Sequence, residues 1–469
     1  MPIETVHPLY DANIAKWQKC RLAYEGEEAV KSAGELYLPK VDPGQDRREY
    51  DAYKSRALYY EAVGRTVDGF VGAISRKPHV IQLPEGLKEF ETDATTDGTG
   101  LSEFIKRLCG ETLLISRSGI LVDYDEQLGR AYFTLYTAEA ITNWSPASLV
   151  LTETIYEADT ADALKQVAVN QIRQLHLVEG RYVVTIWRRA SVTGAGQQWA
   201  IHSETTPTVR GASLGEIPFF WLSCMGRSTA ISKPPLLGLV NVSMSHYRTS
   251  ADLEHGRHFT AMPTLYVAGG SDDTPIRVGA GAAILLQDPH AKVGYAEFTG
   301  QGLGSLETAL ESKEHQMAVL GAAVFGGEKK GVEAADTARI RTAGENSLLM
   351  GTVSAVEESL EAALNCAAEW MGVSGQIDVE INRDFIDQAI PPQTLTGMVQ
   401  AFQAGAMSLE AFLYCLQQAE MLPPETEIAE EAQKLRDAAA AKAQQEADAA
   451  AKVAAARPAP MPAGGRQES

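Results

Sequence analysis

At 469 residues, with 45% hydrophobic and 22% charged side chains, the chain is long enough for about three domains of ~150 residues and has the make-up of a folded body. Its net charge of −20 excludes a role in which affinity for nucleic acid comes from a basic surface, because neutralising phosphates is what supplies that affinity. No apolar run approaches the ~18 residues that span a bilayer, and the start, MPIETVHPLYDANIAKWQ, lacks a basic stretch followed by an apolar one, so neither membrane insertion nor secretion is expected.

Residues 7 to 65 read as largely helical, with Tyr10, Ile14, Trp17, Leu22 and Tyr24 at broadly helical spacing and LYLPKVDPGQD as a loop. YDAYKSRALYYEAVGRTVDGFVGAISRKP continues the helical pattern and is closed by Pro78. LSEFIKRLCGETLLIS predicts a helix and GILVDYD a strand. Between Arg130 and Cys224 the period changes to alternation: AYFTLYTA, SLVLTETIYE, KQVAVNQIRQLHLV, RYVVTIWRRA, QQWAIHSE and IPFFWLSC predict an antiparallel sheet. The chain is therefore expected to be α+β and not a doubly wound nucleotide binder. Cys20, Cys109, Cys224, Cys366 and Cys415 stand singly, which points to reduced thiols in a cytoplasm and to neither a disulfide frame nor a zinc site.

The middle of the chain is organised as a hairpin with a head. From Pro234 to Phe259, Leu236, Leu237, Val240, Met244, Tyr247 and Ala251 place one apolar stripe on a long helix. Short strands, TLYVAG, AAILLQ and GYAEF, follow between residues 264 and 298. The helical period returns from Gly304, with Leu306, Leu310, Met317 and Leu320 on one side and Glu307, Glu311 and Glu314 near the other. Next comes a glycine-rich stretch, Gly326-Gly327-Glu328-Lys329-Lys330-Gly331, whose lysines are the only adjacent pair in the chain. It reads either as a solvated surface loop or as a basic pair that touches phosphates transiently. A proline-free helical pattern then runs from about Ala334 to Met371, roughly 57 Å if unbroken, with Ile340, Leu348, Leu349, Val353, Val356, Leu360, Leu364 and Trp370 as a nearly continuous packing stripe. GQIDVEINRDF is a short strand, residues 391 to 420 are a small helical unit, and the tail is Ala/Glu/Gln/Lys-rich, its last dozen residues expected to be disordered.

Catalytic signatures are thin. Gly211-Ala212-Ser213-Leu214-Gly215 matches the nucleophile-elbow pattern, yet Glu216-Ile217-Pro218-Phe219 after it reads as extended, so a turn between strands fits better than the strand-to-helix turn an elbow requires. His246, His255 and His258 share one predicted helix without an HExxH arrangement or a third convergent ligand, and no metal or other cofactor is expected. Gly279-Ala280-Gly281 lacks the rest of a dinucleotide fingerprint, and Gly326 to Gly331 lacks the GK[ST] ending of a phosphate-binding loop, which argues against an ATP-driven motor.

The order of helix, compact β-containing module, helix, Gly-rich loop, very long helix and small helical unit resembles the portal proteins of tailed double-stranded DNA bacteriophages. The wording agrees in HPLYDANIAKWQKCRLAYEGEEAVKSAGELYLPK, GRTVDGFVGAISRKP, PPLLGLVNVSMSHYRTSADLEHGRHFTAMPTLYV and ARIRTAGENSLL. The resemblance runs from about His7 to the small helical unit.

The resemblance implies a wing over residues 1–233, a first stem helix over 234–263, a clip over 264–303, a second stem helix over 304–324 and a tunnel loop over 325–333. A long wing helix with a short strand follows over 334–384, a crown over 385–425 and a partly disordered Ala-rich tail over 426–469. It implies a non-enzymatic ring, normally of twelve copies, at a unique capsid vertex of the virion, assembled in the host cytoplasm. Double-stranded DNA passes through it non-specifically; large terminase, a head-completion or adaptor protein, and the major capsid and scaffolding proteins are the expected partners. Carried over by position, Gly326, Gly327, Glu328, Lys329, Lys330 and Gly331 are the tunnel loop, and Glu307, Glu311 and Glu314 face solvent or the channel, where a negative wall keeps phosphates from adhering. Two other readings stay open: a different shell or adaptor component without stem and clip, and a serine hydrolase using Ser213.

Overall fold

The computed structural model describes residues 2–159, 162, 164–192, 196–261, 264–268, 290, 292–296, 302–321, 335–385, 392–418, 421–423 and 426–455. The chain divides into two units, Met1–Phe385 and Ile386–Ser469, and it is α+β.

The first unit opens with helices α1 (Pro8–Glu25), α2 (Glu27–Ser32), α3 (Arg47–Arg56) and α4 (Ala62–Ile74). His7 caps α1 by accepting the Leu9 N–H on Nδ1, with Pro8 in the first turn; Asp46 and Glu49 form a reciprocal capping box on α3. Gly26 turns the chain between α1 and α2 at φ 95°, a conformation that favours glycine. The continuous helical pattern expected after Tyr50 is broken between α3 and α4. There the Leu58 N–H donates to Ser250 Oγ at 3.3 Å and the Tyr59 N–H to Glu27 Oε2 at 3.1 Å, so side chains from elsewhere take donors a helix would have used internally. Burial of Tyr59 against Tyr247 accompanies the break.

After strand β1 (Val80–Gln82) and helix α5 (Leu101–Leu114) come β2 (Ser118–Asp125), β3 (Arg130–Thr137), β4 (Ile141–Ser145), β5 (Ser148–Ala158), β6 (Gln166–Val178), β7 (Arg181–Val192), β8 (Gly196–Thr205), β9 (Thr208–Val209), β10 (Ala212–Ser213) and β11 (Phe219–Leu222). The expected antiparallel sheet is in fact two main sheets, a five-stranded meander β4-β5-β6-β7-β8 and a three-stranded sheet β11-β2-β3, with β9 and β10 as a separate hairpin. Leu121, Tyr136, Ile141, Leu149, Leu151 and Leu175 form a buried cluster shared by the two main sheets. Residues 118–122 of β2 are all buried, as a strand covered on both faces must be.

Arg117, 2% exposed, ties these sheets together: its guanidinium lies 4.1 Å from the Trp144 ring and 4.4 Å from the Trp221 ring, and Nη1 donates to the Thr229 carbonyl at 3.0 Å. Its Nε and Nη2 have no acceptor, and burial pushes its pKa down to about 10.

Helices α6 (Leu237–Ala261) and α7 (Leu303–Leu320) follow, with strands β12 (Thr264–Ala268) and β13 (Lys292–Ala296) between them in sequence. Then comes α8 (Ala335–Met371), 37 residues, or about 55 Å at 1.5 Å per residue. Its expected stripe is present: Leu349, Val353, Val356, Leu360 and Leu364 are fully buried where the helix packs on β2, β3, β11 and α5. Strand β14 (Asp378–Glu380) pairs antiparallel with β1 across about 300 residues of sequence.

The second unit contains α9 (Pro392–Gln403), α10 (Leu409–Gln418) and α11 (Ile428–Ala455). Phe402 and Phe412 stack at 5.1 Å, and Arg436 of α11 pairs with Glu410 of α10. Most of α11 is exposed. The tail expected to be disordered lies outside the described residues. Among the described residues no helix is long and apolar enough to cross a membrane.

Candidate functional site

The α6–α7 pair brings together more of the residues singled out in the sequence than any other place. The two helices pack side by side: on α7 Leu303, Leu306 and Leu310 are half-buried and Met317 is buried, at helical spacing, and Gly256 of α6 admits Leu303 so closely that an added Cβ would lie 2.6 Å from its Cδ2. Lys313 reinforces the seam, its ammonium donating to the Ser245 carbonyl at 3.2 Å and to Thr249 Oγ1. Burial and the neighbouring Arg248 guanidinium both push the Lys313 pKa down.

On one flank of this pair, Glu307, Glu311 and Glu314 follow one another at steps of four and three along α7 and stand beside Glu254 of α6. They line a groove of about 560 Å³ whose apolar wall includes Leu58, Tyr60 and Leu310. Arg257 bridges two of the acids, Nη1 to Glu254 Oε1 and Nη2 to Glu307 Oε1, each at 2.8 Å, and these contacts raise its pKa. His246 Nε2 lies 3.4 Å from Glu314 Oε1; burial holds the imidazole pKa below its ordinary value against the pull of that carboxylate, and its Nδ1 has no partner. Glu311 is exposed and makes no hydrogen bond or ion pair among the described residues.

The head of the hairpin is described only in part. Strands β12 and β13 pair antiparallel, Leu265 opposite Tyr295 and Val267 opposite Val293, so these four share one face; Val293 and Tyr295 are exposed. The expected strand AAILLQ and the whole Gly326, Gly327, Glu328, Lys329, Lys330, Gly331 stretch lie outside the described residues.

Other candidates are dispersed. Ser213 is exposed on β10, which pairs with β9 across a tight turn at Arg210 and Gly211 with φ 52° and 81°. The chain there runs strand, turn, strand, and among the described residues no histidine hydrogen-bonds Ser213. His255 packs edge-on to Tyr53 and Phe259, and His258 packs on Phe259. No group of three or more His, Cys, Asp or Glu side chains able to hold a metal ion occurs among the described residues. Arg257, Lys313 and Arg248 were not singled out from the sequence. Only the Glu254–Arg257 spacing of three was legible, because the other contacts join helices far apart in the chain.

A family model described as a domain of unknown function (DUF4055) matches residues 235–371, which is α6 through α8 and less than half of the chain. No curated protein matches. Among solved structures, similar chains occur in the neck of an empty GTA particle computed with C6 symmetry (13% identity, TM-score 0.39, 85% of this chain and 99% of that one), in the virion of a native gene transfer agent (GTA) particle (14%, 0.38, 82% and 95%), and in the neck of a native GTA particle computed with C12 symmetry (12%, 0.37, 83% and 98%).

Proposed function

We propose that this chain is the repeating subunit of a portal-like ring, a DNA conduit at one vertex of a phage-type particle. The observation that carries the reading is the α6–α7 pair. Of the 18 residues of α7 only Met317 is fully buried, and a helix draws most of its stability in water from tertiary packing, so one held by so little within its own chain gains from packing against neighbours. The exposed Val319 and Leu320 at its end, and the two-stranded β12–β13 ribbon, which is marginal by itself in water, call for neighbours. The order of elements supplies the rest: stem helix, clip ribbon, stem helix, tunnel loop and a long wing helix whose apolar stripe anchors the hairpin-bearing unit.

In this reading the acidic chain carries DNA without holding it. A net charge of −20 repels phosphates over most of the surface, while Lys329 and Lys330 touch the backbone briefly from the tunnel loop. The clip docks the packaging motor and later a head-completion protein, and the chain supplies no ATPase of its own. Ring assembly tests the reading directly. Mass photometry of the purified chain is expected to give a species near twelve times the 50.6 kDa chain mass, whereas monomers across the accessible concentration range would refute it.

A further inference from the structure

The two flanks of the α6–α7 hairpin differ in charge, and the difference identifies which surfaces of neighbouring copies meet. At 100° per residue, the α6 side chains that reach the acidic groove, His246, Ser250, Glu254 and Arg257, lie within about 80° of one another, and Arg248 lies about 165° from their centre. The same arithmetic on α7 places Glu307, Glu311 and Glu314 on the groove flank and Ser305, Ser312 and Gln316 on the other. The far flank therefore carries no acid from α7. Asp252, on the α6 side of it, already accepts the Tyr53 hydroxyl at 2.7 Å. Lys19 of α1 lies alongside, donating to Asn241 Oδ1 at 3.0 Å.

Two side chains are left over. Arg248 is exposed and has no ion-pair partner among the described residues. Glu311 is exposed and unpartnered in a groove holding three other carboxylates against the single guanidinium of Arg257. An acidic concave flank and a cationic flank on opposite sides of one hairpin form a heterologous, head-to-tail pair of surfaces, the kind that repeats around a closed ring.

We propose that the groove between α6 and α7 receives the Arg248 flank of the next copy of this chain, with Glu311 pairing Arg248 across the interface. The inference rests on the ring reading above and adds its register. It gives Glu307, Glu311 and Glu314 a role between subunits, where the resemblance implied that they face solvent or the channel. Arg257 bridges Glu254 and Glu307, and Glu314 lies within hydrogen-bond reach of His246, which leaves Glu311 as the unengaged acceptor. The fit is charge-selective because the same flank turned on itself would set four carboxylates against four.

Charge reversal in the full chain tests this. Glu311→Arg and Arg248→Glu are each expected to lower the fraction of chain in rings roughly tenfold or more at a given concentration, since like charges then face each other at every interface. The double reversal is expected to restore rings. Neither side chain has an ion-pair or hydrogen-bond partner among the described residues, so the melting temperature and circular dichroism of each variant should match wild type, which separates lost assembly from lost folding. As an independent arm, a chain carrying Glu311→Cys and Arg248→Cys together is expected to give a ladder of disulfide-linked oligomers on non-reducing gels that neither single variant gives. Wild-type rings with single reversals that assemble normally, or a double reversal that fails to rescue, would overturn the pairing while leaving the ring intact. Rings in the Glu311→Arg variant with altered DNA passage would return the glutamates to the channel wall. A wild-type chain that never forms rings would remove the ring reading itself, and the pairing with it.

Discussion

Arg257 on α6 donates through Nη2 to Oε1 of Glu307 on α7 at 2.8 Å, while its Nη1 holds Glu254 one turn away on its own helix. One guanidinium thus fixes the far end of the hairpin and spends two of the acids on its flank. Both partners are about half exposed, so the pair belongs with surface ion pairs worth roughly 0.2–1 kcal/mol. Arg257→Met is accordingly expected to change the melting temperature by a few degrees at most. The loss should shrink as salt is raised, and differential scanning fluorimetry across a salt series checks both.

Arg117 poses the opposite case. It is a buried cation with two N–H groups unsatisfied and no carboxylate, held by the faces of Trp144 and Trp221. Replacing a buried charge by an apolar side chain of similar length is commonly neutral or stabilising, whereas truncation leaves a cavity. Arg117→Met is expected to melt within about 1 kcal/mol of wild type or above it, and Arg117→Ala to lose about 2–4 kcal/mol. A large loss in the methionine variant, measured by urea denaturation, would show that the cation–π sandwich outweighs its desolvation.

His246 makes stability depend on pH in a known direction. Burial keeps its imidazole pKa below the ordinary 6.5, so the unfolded chain takes up a proton that the folded chain refuses. Stability from this group is complete above about pH 6.5 and falls as the pH drops below it. Burial lowers His79, His176 and His255 likewise, so the effect is shared. His246→Gln is expected to reduce, without abolishing, the drop in melting temperature between about pH 7.5 and 5.5. An unchanged drop would show that the histidine does not titrate with folding.

Lys329 and Lys330 give the prediction closest to function. On the proposed conduit reading, a chain with both changed to alanine, assembled into heads, is expected to package DNA more slowly or retain it less well than wild type, because the two adjacent cations are gone. Full-length packaging at the normal rate with normal retention would remove the loop from the mechanism.

Periodicity made the long elements legible. The stripe through Leu349, Val353, Val356 and Leu360 announced α8, and the α6 and α7 patterns announced the hairpin, because helical spacing records burial residue by residue. The steps from Glu307 to Glu311 to Glu314 placed three acids on one face, but not what they faced, since Arg257 and His246 lie some 50 and 68 residues away in sequence. The split into two sheets was hidden because a strand's own sequence records which of its faces are buried and not which strands pair with its edges. The break after Arg56 has no local sequence signal for a similar reason: its backbone donors go to Ser250 and Glu27, partners no local pattern can display. Pairing of β1 with β14 was beyond reach on the same ground.

Negative-stain electron microscopy of the purified full chain addresses the ring most directly. The account predicts closed rings with a central hole and a narrow stem formed by the α6–α7 hairpins. Compact monomers or dimers, at every concentration and salt at which the chain stays folded, would contradict it.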